Sequence, residues 1–557
     1  MAAIVFGALC ALAARFAPAG GKDAQAAMWY SIVPPVLAIL LAFLTRHVVL
    51  SLGIAILAGG LLTAVPQAPL SAAAWFDGLG AAAALVGQTV RPYPEPGQIN
   101  SNLLILAFIP PIFVMIEILV ASGGFRGIIV WLLKWVKGRK SAQLATALMG
   151  ILCFIDDYTN AIIVGSMMQP ITDRFRVSRQ KLAFLVDATS APIAGLAVVS
   201  TWIAYEVGLL GQVADNLGID KSGYSMFFDA LSFRFYCWLM IAFVFLHIIA
   251  GRDFGPMKTS EDSARRSIPD DGPSSSIENQ VSGTGKGRAI NALVPMAGLI
   301  GFHVTGIWID GGGPAGLREG GSLLSLTYWR DVISAAEHTH LILDGAALFG
   351  LALALLFSQL FGSLRMPVIV SCFRRGVKRA MIPFVILILA WSLKNCCDGL
   401  KTGQFLTTIL AGRVPPYLFG PILFFVASVT SFATGTSYGT MAILLPTAVP
   451  IAFALDGNAY GLTTMISIGA VLDGAIFGDH CSPISDTTIM SSIASSCDLI
   501  EHVRTQLPYS LLVAGLALLF AYLPSGLGLA PGWGLVVAIS AMAVFFAILI
   551  RAGETPS

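Results

Sequence analysis

Apolar runs near or above twenty residues recur from end to end of this 557-residue chain, and that recurrence restricts its fold more than any other feature. A run of roughly 20 apolar residues is what an α-helix needs to cross the hydrocarbon of a bilayer. Hydrophobic residues make up 56% of the chain and charged residues 11%, against roughly 25% charged in soluble domains. The expected class is an all-α polytopic membrane protein, a single unit held in the lipid bilayer. A formal net charge of +2 argues against a nucleic-acid partner. The eight cysteines lie in apolar segments or at their ends without Cys-x-x-Cys spacing, so neither a disulfide framework nor a zinc site is indicated.

Spans are expected near residues 30–45, 48–64, 102–123, 183–212, 231–250, 288–307, 339–361, 381–397, 463–494, 508–524 and 531–551, about 11–12 transmembrane helices with the N-terminal run. That first run is apolar and Ala-rich and precedes Ala17-Pro18-Ala19-Gly20, but it lacks a basic n-region. An extra uncleaved helix is favoured there over a cleaved signal peptide. Basic clusters orient the spans: Lys134 to Lys140, Arg174 to Lys181, the stretch from Arg252 to Arg288, and Arg374 to Arg379 belong in the cytoplasm by the positive-inside rule. The loops near 65–101 and 308–338 are then external. Gly311-Gly312-Gly313-Pro314 has neither nucleotide-binding spacing and reads as a loop.

The apolar segment 141–173 has basic clusters at both ends, so it should enter and leave by one face as a re-entrant hairpin. Its midpoint holds Asp156-Asp157-Tyr158-Thr159-Asn160, a polar tip tolerated at membrane depth only beside protein or water. A second double run, 416–455, is expected to form a hairpin of opposite sense with Gly435, Thr436, Ser437 and Gly439 at its tip. Each hairpin follows three spans and a short amphipathic stretch (125–137 and 400–411) and precedes a span broken by a polar, proline-containing segment. The broken spans share text: Asp187-Ala-Thr-Ser190-Ala-Pro192-Ile193 and Asp479-His480-Cys-Ser482-Pro483-Ile484.

The expected organisation is therefore two inverted-topology repeats, each with a re-entrant hairpin and a broken helix, a pattern found in secondary transporters. Residues 1–29 form the N-terminal segment and 30–251 the first repeat, with its hairpin at 141–173 and broken helix at 183–212. A flexible cytoplasmic linker occupies 252–288, rich in Ser, Gly, Pro and mixed charge. The second repeat covers 289–524, with its hairpin at 416–455 and broken helix at 463–494, and 525–557 adds a C-terminal span.

Charge at membrane depth costs roughly 2.5 to 3.5 kcal/mol per residue on insertion scales, so the polar breaks are expected to face protein or a water-filled cavity. A sodium ion wants carbonyl, hydroxyl and carboxylate oxygens, and unwound turns free the carbonyls. Gly435 and Gly439 permit close backbone approach and Pro192 and Pro483 interrupt the helical ladder. Thr159, Ser190, Ser485 and Thr487 add side-chain oxygens, and the proposed Na+ set is Asp157, Asn160, Thr436, Ser437, Asp479 and Ser482. The competing reading has the Ser and Thr hydroxyls merely joining helices. Asp156, Asp157, Asp187, Asp479 and Asp486 are candidates for proton coupling, because burial favours a protonated carboxyl and a bound cation favours the ionised form. His480 can also titrate.

Further charges fall in or near spans at Glu117, Glu206, Asp344, Lys394, Asp398 and Asp473. Lys394 and Asp398 have the i, i+4 spacing of a helix ion pair; the other reading has Lys394 binding an anionic substrate in the cavity. Two aspartates in different spans also raise intramembrane aspartyl proteolysis, but Gly-x-Gly-Asp and Pro-Ala-Leu are both missing from the text. No enzyme activity, no ATP-binding motif and no cofactor is expected, with Na+ entering only as cargo.

Three long strings, Gly435 to Thr440, Gly478 to Thr488, and His502-Val503-Arg504-Thr505-Gln506-Leu507-Pro508-Tyr509, closely resemble the NhaC-type Na+/H+ antiporter family. A weaker likeness runs through Asp157 to Asn160 and from Lys181 to Trp202. The resemblance implies a bacterial inner-membrane antiporter of the wider ion-transporter superfamily, whose members typically carry two opposed hairpins and often form homodimers. It implies Na+ and H+ as partners. Some relatives look like coupled exchangers of small organic acids such as malate and lactate, or amino-acid carriers. Lys394-Asn395-Cys396-Cys397-Asp398 departs from the more apolar helix of the family and keeps an organic anion or amino acid open as substrate.

Overall fold

Helices are the only regular elements among the described residues, which is how a chain in hydrocarbon satisfies its backbone N–H and C=O groups. The computed structural model describes residues 29–552 apart from 46, 69–70, 92–100, 267–287, 324, 363, 403–404, 406–413 and 484. The expected N-terminal helix at 1–29 lies almost wholly outside the described residues, as do most of the linker and of the stretch 400–411.

The first half runs through α1 (Val33–Thr45), α2 (Val48–Ala64), α3 (Ala72–Thr89), α4 (Ser101–Ala121), α5 (Gly124–Leu133), α6 (Arg139–Leu152) and α7 (Asp157–Arg174). It continues with α8 (Arg179–Ala188), α9 (Ala191–Ala194), α10 (Thr201–Leu217), α11 (Gly223–Leu231), α12 (Phe235–Ala250) and α13 (Gly255–Arg266). The second half holds α14 (Ile290–Asp310), α15 (Gly313–Arg318), α16 (Leu326–Ala335), α17 (Thr339–Gly362), α18 (Met366–Gly399), α19 (Pro416–Thr434) and α20 (Ser437–Leu455). It ends with α21 (Leu462–Cys481), α22 (Asp486–Ala494), α23 (Leu499–Ala517), α24 (Leu523–Gly526) and α25 (Pro531–Ala552). Among the described residues nine helices are long and apolar enough to cross a membrane, or ten if α11 and α12, bent by 47°, count as one span. Trp29–Leu41 and Val48–Ala64 are shorter apolar helices.

All four expected breaks are present. Asp156 separates α6 from α7, Gly435 and Thr436 separate α19 from α20, residues 189–200 interrupt the chain between α8 and α10, and residues 482–485 part α21 from α22. Each new helix begins on a side-chain cap, which satisfies N–H groups that a helix start leaves open: Asp156 accepts from Thr159, Thr436 from Gly439, Ser200 from Trp202 and Ile203, and Ser485 from Thr488. Gly435 takes φ 66°, the left-handed conformation that ends α19 without a Cβ penalty. Helices α19 and α20 are each long and apolar enough to span, whereas α6 and α7 are not among those that are. The halves interlock. Helix α7 packs on α22, and α20 packs on α10.

Four segments differ from the sequence expectation. The external loop near 65–101 contains α3, an Ala-rich helix that packs on α2 and α18. The loop near 308–338 carries α15 and α16. The basic cluster Arg374 to Arg379 is not in a loop but within the 34-residue helix α18. Finally, the first part of the linker is α13, whose Met257 and Glu261 are buried. Glu261 pairs with Arg139 at the base of the first hairpin and accepts from the Ser178 N–H at 2.7 Å, so α13 ties that base to the start of α8. A charged hydrogen bond contributes about 2 kcal/mol. Glu261→Ala is expected to lower stability by that order, measured as a fall in the thermal unfolding temperature of the purified protein in detergent.

Candidate functional site

The capped starts of α7 and α22 place an acid in the first turn of each helix, Asp157 and Asp486, where the positive end of the helix dipole favours a negative charge. They meet across the interface of the two halves. The Tyr158 hydroxyl donates to Asp486 Oδ2, and the Asp157 carboxylate is close enough to interact with those of Asp156 and Asp486. Asp479, in the last turn of α21, accepts from the Thr487 hydroxyl at 3.0 Å through Oδ2, and its Oδ1 is buried with no hydrogen-bond partner. Among the described residues no Lys or Arg lies within ion-pair distance of Asp157, Asp479 or Asp486. Asp157, Asp479 and Asp486 thus form a carboxylate cluster that makes no ion pair with a Lys or Arg among the described residues, the Arg379 guanidinium lying only within longer electrostatic reach of Asp157.

The remaining expected residues hold the breaks in register. Asn160 donates to the carbonyls of Gly150 (2.7 Å) and Thr189 (2.9 Å), leaving its own buried Oδ1 without a partner. Ser190 donates to the Asp157 carbonyl at 2.7 Å, and Pro192 opens the short α9 beside it. Ser437 donates to the Ala475 carbonyl at 3.2 Å and Ser482 to that of Phe432 at 2.7 Å, fastening the second hairpin to α21. Gly478 makes this approach possible: a Cβ there would lie 2.1 Å from the Ser428 carbonyl oxygen. Ser485 caps α22 and shares a hydrogen bond of 2.9 Å with Thr487. Gly439 sits one turn into α20 against Val48, and Pro483 stands in the break itself. Many of the expected hydroxyl ligands therefore already have a structural partner.

Asp187 belongs to a second cluster. Its Oδ2 faces His502 Nε2 at 3.2 Å and accepts from Gln506 at 2.8 Å, its Oδ1 accepts from Ser491 at 3.4 Å, and His480 Nε2 stands 3.7 Å away. His480 is joined through Nδ1 to the Tyr236 hydroxyl at 2.9 Å. Asp156 is committed differently: besides capping α7, it accepts from Arg379 at 2.9 Å and from the Thr201 hydroxyl at 3.3 Å. Lys394 is not brought to this site. It pairs with Asp398 at 3.0 Å and lines a separate cavity of about 680 Å³ at the C-terminal ends of α10, α18 and α20.

Sequence reading assigned no role to Tyr158, Tyr236, Arg379, His502 or Gln506. A usable signal existed for two of them, since His502 and Gln506 are i, i+4 and share one face of α23. Tyr158 and Arg379 carried no local sign of their partners, which lie hundreds of residues away. Among the described residues no three His, Cys, Asp or Glu side chains gather tightly enough to hold a metal ion by themselves. A cation here would need hydroxyl, amide and carbonyl oxygens as well.

The chain matches the Na+/H+ antiporter family over residues 193–526. A Haemophilus influenzae protein described as uncharacterized is 34% identical over 496 residues, 88% of this chain and 90% of that one. The malate-2H(+)/Na(+)-lactate antiporter of Bacillus subtilis is 37% identical over 123 residues, 20% of this chain and 25% of that protein. The solved structure of Neisseria gonorrhoeae MtrF overlays with a TM-score of 0.54 across 97% of this chain and 93% of that chain, at 13% identity, a likeness of fold alone.

Proposed function

We propose, since the chain belongs to the Na+/H+ antiporter family, that this multi-pass membrane transporter exchanges Na+ for H+ across a bacterial inner membrane. The observation that carries the reading is the Asp157, Asp479 and Asp486 cluster, acidic, at the helix breaks and, among the described residues, without an ion pair to a Lys or Arg. Asp157 and Asp479 are buried while Asp486 is exposed, and buried carboxylates this near to further acids cannot all stay ionised unless a cation or a proton balances them. One sodium ion and one proton are thus alternatives at the same oxygens, and exchange is their competition. Asp479 Oδ1 and Asn160 Oδ1, buried and unpartnered, are acceptors ready for such an ion. Asp187 with His480 and His502 is a neighbouring proton acceptor. Thr436, Ser437 and Ser482 hold the breaks beside these acids. The reciprocal packing of hairpins on broken helices supports two inverted repeats that move against each other, with energy drawn from the opposing ion gradient.

A second reading, coupled exchange of a small carboxylate or amino acid, is favoured by the cavity at Lys394. Its volume of about 680 Å³ and its lining by Asn216, Lys394, Asp398, Lys401, Thr447 and Asn458 fall within the range of small-molecule sites, about 300–1,000 Å³. Proteoliposomes holding a preformed pH gradient test both. A sodium pulse alone is expected to dissipate the gradient. Dissipation that requires added malate, lactate or an amino acid, and that weakens in Lys394→Gln, would replace the first reading with the second. A gradient that persists under every addition would overturn both.

A further inference from the structure

The mechanism above makes no use of Arg379, although it reaches the first hairpin tip. Its Nη2 donates to Asp156 Oδ2 at 2.9 Å while its Nη1 donates to Glu117 Oε1 at 3.2 Å, so one guanidinium spans two carboxylates. Both nitrogens also face the Thr159 hydroxyl, at 3.3 and 3.4 Å, and the group lies over the Phe113 ring at 5.6 Å. The two carboxylates are not equivalent. Glu117 has a second cation, Arg375, at 2.7 Å, whereas among the described residues Asp156 has Arg379 alone. Asp156 is 1% exposed and Arg379 29%, so the pair joins a buried acid to a partly exposed cation.

We propose that Arg379 is an internal counter-cation that alternates with the transported cation at Asp156. The inference rests on the Na+/H+ reading of the neighbouring site and adds Asp156 to it as an access site. An ionised carboxylate as buried as Asp156 is costly without a cation beside it. In the structure the guanidinium is that cation. An arriving sodium ion can replace it, because Arg379 keeps Glu117 and gives up only its bonds at the hairpin tip, to Asp156 and Thr159. The planar fork, with donors on both nitrogens, makes the two positions neighbours rather than distant states. Among the described residues Asp156 Oδ1 accepts from the Thr201 hydroxyl at 3.3 Å alone and can ligate further, and the adjoining Asp157 receives the ion next. When the ion leaves, Arg379 returns, so Asp156 is not left unpaired in the empty carrier. The basic face of α18 assigns this access to the cytoplasmic side.

The test is the Na+ dependence of exchange, read as KM and kcat in proteoliposomes with sodium supplied from the cytoplasmic face. Removing the competitor in Arg379→Gln is expected to lower the KM for Na+ by about fivefold and to lower kcat, because release loses its displacing group. Glu117→Gln does the opposite: it weakens the second seat of the guanidinium, drives it onto Asp156 and raises KM. Arg379→Lys, a point charge too compact to bridge both acids, should fall between wild type and Arg379→Gln, and it serves if the glutamine variant fails to fold. A mere staple between α18 and the hairpin would lower kcat and thermal stability in all variants with KM unchanged or moving one way. That result overturns the proposal. Absence of exchange in the wild-type protein would instead overturn the functional reading beneath it.

Discussion

Asp479→Asn is expected to abolish sodium-driven proton movement while leaving the protein folded. The substitution keeps the shape of the side chain and its acceptor oxygen for the Thr487 hydroxyl, so the break between α21 and α22 is preserved. What it removes is charge. Two unit charges 4 Å apart at an effective dielectric near 20 interact by about 4 kcal/mol, roughly a thousandfold in affinity. An amide also cannot carry the exchanged proton, so both halves of the cycle fail together. The measurement is a sodium pulse on proteoliposomes with an internal pH dye, beside a thermal unfolding scan of the same preparation. Undiminished exchange in Asp479→Asn would remove Asp479 from the site. Asp157→Asn is the second substitution, with the same expected loss.

Arg234→Leu carries the largest expected effect on folding. Arg234, fully buried between α11 and α12, faces Glu206 of α10 at 3.2 Å and Asp473 of α21 at 3.0 Å, and neither acid is exposed. Asp473 is further held by the Tyr522 hydroxyl at 2.8 Å and the Tyr236 N–H at 2.6 Å. Removing one partner of a buried ion pair costs about 3–5 kcal/mol because the charge left behind has nowhere to go. Here two carboxylates would be left. Arg234→Leu is therefore expected to yield little folded protein by size-exclusion chromatography in detergent. Neutralising the acids at the same time, with Glu206→Gln and Asp473→Asn, should restore much of the yield. If the triple variant is no better than the single one, the arginine matters for its shape and not for balancing the acids.

The sites of the four breaks could be read directly from text: Asp156 to Asn160, Asp187 to Pro192, Gly435 to Gly439 and Asp479 to Thr487 each interrupt apolar sequence, and each interrupts helix in the structure. Helix α3 escaped that reading because Gly78, Gly80 and Asp77 dilute its hydropathy, yet its Ala-rich sequence forms helix readily and finds cover against α2 and α18. Arg374 to Arg379 misled for a different reason. The positive-inside rule reports on which side basic residues lie, not on whether they sit in loops, and here they lie within the long helix α18. The Ser and Thr oxygens were read as ion ligands, and Ser437 and Ser482 spend their donors on neighbouring carbonyls.

By itself the sequence determined the class of the protein, the positions of its breaks and the family to which it belongs, because hydropathy, prolines, glycines and motif text are local properties. Only the tertiary structure decided which acids stand without a basic partner. Asp156 and Asp157 are adjacent in the chain, yet one is ion-paired with Arg379, and the other, only within longer reach of that guanidinium, faces Asp486. Asp187 and Asp479 occupy matching places in the two shared motifs, yet one meets His502 and Gln506 while the other keeps an unpartnered oxygen. The reason is physical. Electrostatic partnership depends on distance through space, and here the partners are supplied by helices more than two hundred residues away, brought together by packing that no local pattern records.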